Sequence, residues 1–295
     1  MSEPRTGTLV ETEFDGDIGV IRLNRPESLN AVNTALVEQL VAAFDSARTA
    51  RAVLLTGRGR AFCAGHDLKA PPEDPATVRA RLDRIQDVTR RIRSCPAPVI
   101  AVVQGHAVGA GAEFALGCDL VLAGEGAQFR FPEVGLGLSA TGGLSALLPM
   151  LVGPIRAKEL VMFGEPLDAA TAHRLGLVNA VIPDDELLAT AMSWARRLAE
   201  LPAAPLAMAK EAIDAGTDRA VESALALEIR HAIRTDELST EGGSPVSTSA
   251  LLNRTSGDRD ATRPQETPKR EISPERNHHC ESRRGGTASR RGGTA

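Results

Sequence analysis

Residues 98–119 read PVIAVVQGHAVGAGAEFALGCD. The segment opens on an uninterrupted β-branched and alanine run, 99–103, the pattern of a strand buried on both faces. Gly105 breaks it, a small-residue turn follows at Gly109-Ala110-Gly111, and a helix is predicted over 112–116. Such a turn sets several backbone N–H groups at a helix N-terminus, where they lack intrahelical acceptors and the peptide dipoles favour negative charge. Glu113 stands in that first turn. Glutamate is also an ordinary first-turn residue, so the pattern defines an anion-friendly corner and not yet a reaction. GAGAEF has neither the third glycine of a dinucleotide fingerprint nor the Gly-Lys-Ser/Thr of a phosphate loop, and both readings are set aside.

The chain has 295 residues, 42% of them hydrophobic, enough for a large core in one domain or two. A formal net charge of −4 argues against a general nucleic-acid binder. Cys63, Cys95, Cys118 and Cys280 form no CxxC pair and no ligand-like spacing, which fits reduced thiols and no metal site. The acidic N-terminus lacks the apolar core of a signal peptide, and no apolar run is long enough to span a bilayer. The expectation is a soluble, cytoplasmic protein that engages neither membrane nor nucleic acid.

Outward from the central stretch, 9–14 and 18–24 read as a hairpin around Asp15-Gly16-Asp17. Asn33 is placed to cap a helix running to about residue 48. A buried strand at 52–56 ends before a second small-residue loop, AFCAGHDLK at 61–69, and a charged helix is expected over 76–93. Strands at 120–123 and near Phe129 lead into the loop 132–137; helices at 144–151, 154–163 and 169–175 precede a strand at 178–182. Helices at 185–200, 205–215 and 219–233 end the ordered part. Near Thr235 the composition turns to Ser, Thr, Arg, Pro and Gly, closing on two copies of SRRGGTA. Residues 236–295 therefore read as a disordered tail that cannot bury enough apolar surface to offset its ordering entropy.

Two backbone-rich loops, after the strands at 52–56 and 99–103, can converge on one atom, and a pair of convergent N–H donors is what an oxyanion hole requires. Glu113 and Glu133 are the carboxylates nearest these glycine-rich loops, and carboxylates in different environments can divide acid and base roles.

The motifs AFCAGHDL, PVIAVVQGHAVGAGAEFALGCDL, FRFPEVGLGL, GPIRAKELVMFGEPLDAATAHRLGLVNAVIP and the early LNRPESLNAV, in that spacing over residues 8–234, resemble the enoyl-CoA hydratase/isomerase (crotonase) superfamily. The resemblance implies an α/β fold: a crotonase-like spiral of ββα units over 8–182, followed by a C-terminal helical region over 183–235. It also implies homotrimers or dimers of trimers, an acyl-CoA thioester substrate and a place in fatty acid metabolism. No metal or redox cofactor is implied, coenzyme A being part of the substrate. Residue by residue, the oxyanion-hole N–H groups fall on His66 and Ala110, the catalytic glutamates on Glu113 and Glu133, and coenzyme A contacts on Arg25, Ala64 and Leu68. Hydration of a 2-enoyl-CoA is the activity so implied, with double-bond isomerisation or another thioester reaction as the alternative, and a non-catalytic acyl-CoA binder as the alternative of another class.

The chain departs from the family pattern in three places. Ala110 stands where glycine is usual, which is harmless only if its φ is negative. The loop after Glu133, GLSATGG, is one residue short and lacks a proline. The expected C-terminal amphipathic helices give way to the polar tail. Elsewhere the bland readings are preferred: His66 contributes backbone and not a catalytic imidazole, Cys63 is a small buried residue, and Asp67 and Asp119 hold backbone by hydrogen bonds.

Overall fold

In the computed structural model, the described residues are 7–69 and 75–242. The hairpin forms as β1 (Val10–Asp15) and β2 (Ile18–Leu23), paired antiparallel. Helix α1 (Thr34–Ser46) follows, capped by the Asn33 side chain accepting from the Leu36 N–H, and then comes β3 (Ala52–Gly57). Next are α2 (Pro75–Arg93), β4 (Val99–Val103), β5 (His106–Val108) and α3 (Ala110–Gly117). Then come β6 (Leu120–Gly124), β7 (Gln128–Arg130), α4 (Leu144–Val152), α5 (Pro154–Phe163), β8 (Leu167–Asp168) and α6 (Ala169–Arg174). The described chain closes with β9 (Ala180–Ile182), α7 (Leu187–Ala199) and α8 (Ala203–Gly242).

The larger sheet runs β1-β2-β3-β4-β6-β9, parallel from β2 onward; the smaller runs β5-β7-β8. A parallel bridge from Cys63 to Ala107 extends the small sheet by one position. Each turn of chain thus lays one strand in the large sheet, one in the small sheet, and then a helix: β3, the Cys63 bridge and α2; β4, β5 and α3; β6, β7 and α4. This is the ββα spiral. The strands are continuously apolar because both faces of the large sheet are covered. Val53, Leu55, Ala101 and Val103 face α1, α2 and α3, while Leu54, Ile100, Val102 and Leu122 face Leu187, Ala191 and Ala195 of α7.

Helix α3 begins at Ala110, two residues before the expected start. The helices expected at 205–215 and 219–233 are one, α8, which passes through Gly216 and continues to Gly242, beyond the composition break near 235. A mid-helix glycine costs only about 1 kcal/mol, and tertiary bonds on both sides of Gly216 hold the helix straight against α2. Arg93 donates to Thr217 and Asp218 and pairs with Asp214. Lys210, largely buried, reaches Asp119 at 2.7 Å and the carbonyl of Ile92 at 3.0 Å. The expected tail lies almost wholly outside the described residues.

Asp119 also accepts from the Val99 N–H at 2.6 Å and so ties the start of β6 to the start of β4. Lys210→Met leaves that partly exposed carboxylate without its cation. Loss of about 1 kcal/mol is expected, measured as a lower urea midpoint with an unchanged slope.

Candidate active site

Three loops at the carboxyl ends of β3, β5 and β7 build the site, the edge where parallel sheets leave room for ligands. The first two are joined backbone to backbone: Cys63 N–H donates to the His106 carbonyl and Val108 N–H to the Cys63 carbonyl, both at 2.9 Å. Gly65 and Gly109 face each other across this seam at φ +85° and +53°. A Cβ on Gly65 would stand 2.6 Å from the Val108 carbonyl oxygen, and one on Gly109 would stand 3.0 Å from Glu133 Oε1 and 3.9 Å from the Gly65 Cα. Only glycine meets both demands. The residues that follow are His66 and Ala110, so the two amides proposed to form the oxyanion hole come side by side. Among the described residues, neither amide donates a backbone hydrogen bond. The positive φ falls on Gly109 and not on Ala110, which is the first residue of α3, so alanine is accommodated without strain.

The first loop is anchored by a turn that the sequence does not announce. Leu29 and Asn30 are both left-handed, at φ 52° and 57°. Asn30 is fully buried; its amide nitrogen reaches the carbonyls of Arg58, Ala61 and Phe62, and its oxygen accepts from the Arg25 N–H. Asparagine tolerates this conformation better than most residues, and the hydrogen bonds offset the strain at its neighbour.

A cavity of about 410 Å³ opens against these loops. Its wall includes Ala64, His66, Leu68, Val108, Gly109 and Glu133. Arg60 and Lys69, exposed cations not singled out in the sequence, stand on the same wall. Arg25 does not line it. Its guanidinium is committed to Asp67 at 3.0 Å and to the Ala31 carbonyl, so it fastens the 25–31 turn to the loop carrying His66. Asp67 accepts in addition from the Lys69 N–H, as a loop-holding residue would.

Glu133 and Glu113 are both buried and differ in their surroundings. Neither carboxylate oxygen of Glu133 has a hydrogen-bond partner among the described residues, and burial lifts its pKa to about 7. Glu113 does not line the cavity. It lies behind it, accepting from the Thr141 N–H at 2.7 Å and from the Thr141 hydroxyl. Burial first, then the nearby charge of Glu133, raises its pKa well above the ordinary range, while the Thr141 bonds oppose the shift. Burial similarly pushes the Cys63 thiol up to about 12, which leaves it unreactive, and pushes the His66 imidazole down to about 4, which leaves it neutral. Thr141 was not visible as a site residue; it lies in the shortened GLSATGG loop, where only its contact with Glu113 distinguishes it.

The site thus sets one buried carboxylate without a hydrogen-bond partner, Glu133, and a second one held by Thr141 close to two loops whose backbone amides at His66 and Ala110 donate to no backbone acceptor among the described residues. The model of the family described as "Enoyl-CoA hydratase/isomerase" matches residues 13–242, and the chain belongs to that family. A probable enoyl-CoA hydratase of Rhodobacter capsulatus is 38% identical over 223 residues, 75% of this chain and 87% of that one. A 1,2-epoxyphenylacetyl-CoA isomerase of Escherichia coli is 38% identical over 216 residues, 70% of this chain and 82% of that one. The crystal structure of an enoyl-CoA hydratase from Mycobacterium avium subsp. paratuberculosis K-10 superposes with a TM-score of 0.72 at 34% identity, covering 79% of this chain and 95% of that one.

The Glu133 pKa has a consequence for stability. Raised from 4.5 to about 7 on folding, the group binds more proton in the native than in the unfolded state between those values. Stability therefore falls as pH rises through that window. Glu133→Gln removes this term, so the variant should gain on the parent as pH rises from about 5 to about 8, toward about 3 kcal/mol. Thermal unfolding of both proteins across that range checks it.

Proposed function

We propose that this protein hydrates a 2-enoyl-CoA to the 3-hydroxyacyl-CoA. The observation that carries the reading is the Glu133 carboxylate, buried, without a hydrogen-bond partner among the described residues, and on the wall of the same cavity as His66 and Gly109, the residue before Ala110. The thioester carbonyl accepts from both amides. As Glu133 takes a proton from water, the water oxygen bonds to Cβ and the π pair moves toward Cα and the carbonyl oxygen. The amides stabilise that enolate without ionising, where donors fixed in advance count most. Return of the proton from Glu133 to Cα restores the carbonyl and completes the addition. Glu113, held by Thr141 behind the cavity wall and close enough for the Glu133 charge to raise its pKa, is the second carboxyl group that orients the water. A pKa near the operating pH suits Glu133 to both taking and returning the proton. Ala64 and Leu68 line the path for the coenzyme A moiety, and Arg60 and Lys69 supply positive charge for its phosphates.

The second reading, a double-bond isomerase, is favoured by one observation: of the two glutamates only Glu133 lines the cavity. Moving a proton from one carbon to another needs a single base. Assembly as a trimer or a dimer of trimers is part of the proposal. Ile155, Met162 and Phe163 leave a largely exposed apolar face on α5, of the kind that marks an interface.

Crotonyl-CoA should lose its conjugated enoyl-thioester absorbance on mixing with the enzyme, and Glu133→Gln should slow this by at least about a hundredfold while binding is kept. Faster turnover of a 3-enoyl-CoA would select the isomerase. Binding of both with turnover of neither would leave a non-catalytic acyl-CoA binder. Light scattering on the eluting protein should give three or six protomers, and a monomer would overturn the assembly.

A further inference from the structure

Glu228 on α8 is 2% exposed, a buried carboxylate that the proposed reaction does not use. Its Oε2 accepts from the Gly143 N–H at 2.9 Å and from Gln86 Nε2 at 3.3 Å; its Oε1 accepts from the Ser145 N–H at 2.8 Å and the Ser145 hydroxyl at 2.7 Å. Those amides belong to the N-cap and first turn of α4, and the two amides before them are also taken. Gly142 N–H goes to Gln86 Oε1 at 2.6 Å and Thr141 N–H to Glu113, while the Thr89 hydroxyl donates to the Gly142 carbonyl at 3.0 Å. The segment 141–145 is thus gripped from one side by α2 and α8, and on its other side it holds Glu113.

We propose that Glu228 is a positioning residue, fixing the 141–145 loop and through it the orientation of the Glu113 carboxylate; the catalytic half of this inference rests on the reaction proposed above. The coupling is stiff because no slack separates the loop from Glu113. A Cβ on Gly142 would stand 2.8 Å from the Glu113 Cβ and 3.1 Å from its Oε2. A loop shift of a fraction of an ångström therefore moves Thr141 relative to the carboxylate. An apolar residue at 228 would fill the space but take the acceptor from four donors, two of which, the Gly143 N–H and the Gln86 amide, belong to buried residues, and buried donors hold their loop in place only while they are satisfied. The Glu228 charge also adds to burial and to Glu133 in raising the Glu113 pKa.

Two variants and a control test this. Glu228→Ala should lower kcat for crotonyl-CoA by about a hundredfold, the scale of a small misplacement of a reacting group, with KM within about twofold. Glu228→Gln retains an acceptor and should recover at least about tenfold of that loss. Lys210→Met destabilises α8 without touching the loop and should leave kcat unchanged. Amide hydrogen exchange over 139–147 supplies a readout independent of turnover: faster in Glu228→Ala, unchanged in Lys210→Met. The inference is overturned if Glu228→Ala keeps the parent kcat, if Glu228→Gln recovers nothing, or if both destabilised variants lose activity and protection alike. A parent enzyme inactive on both 2- and 3-enoyl-CoA would sink the reaction instead, while the exchange comparison would still decide whether Glu228 fixes the loop.

Discussion

The seam between the chain at Cys63–His66 and the chain at His106–Ala110 is the constraint on which the rest of the structure depends. Backbone meets backbone there with no side chain between, through two hydrogen bonds and two glycines at positive φ. Gly111 tightens it further, since a Cβ at that position would sit 2.3 Å from the Cys63 carbonyl oxygen. The seam joins the first and second turns of the spiral, extends the small sheet, and starts α3 at the height that brings Ala110 beside His66. Most of what surrounds it, Asn30 beneath the first loop and Arg25 clasped to Asp67, keeps the first loop in this register.

Against that rigid seam the fold tolerates a local deficit. Two carboxyl groups are withdrawn from water, one of them with no partner, and each such burial works against folding. Other buried polar side chains are matched: Asn30 with three carbonyls, and Glu228 with two amides, a hydroxyl and an amide nitrogen. Glu133 differs from them in that neither of its carboxylate oxygens has a hydrogen-bond partner among the described residues.

Local patterns made much of this legible. The buried strand, the glycine turn and the first-turn glutamate of 98–119 are neighbours in sequence, and the strand and helix boundaries through residue 200 follow apolar periodicity to within a few residues. The parts that stayed hidden depend on distance. Glu228 sits in ALEIRHAIR and Gln86 in LDRIQDV, both unremarkable charged helices in isolation, and only the packing of α8 on α2 turns them toward one loop. Gly216 reads as a helix break because the bonds that override it come from Arg93, more than a hundred residues away. The strands β5 and β8, three and two residues long, are too short to carry a period. The family resemblance placed Arg25 on the ligand; its engagement with Asp67 and the Ala31 carbonyl follows from a left-handed turn at two non-glycine residues, which composition does not foretell.

The groups proposed to bear the enolate charge are peptide amides, and this has an evolutionary side. Any amino acid but proline carries the same N–H, so drift at positions 66 and 110 can recolour the walls of the cavity while the electrophilic pair passes unaltered from ancestor to descendant. What must persist for this is the geometry of two glycines, whereas the carboxylate proposed as base and the side chains on the cavity wall carry no such backbone constraint. A scaffold built this way can change its reaction while keeping the amide pair, a latitude in keeping with relatives named as a probable enoyl-CoA hydratase and a 1,2-epoxyphenylacetyl-CoA isomerase.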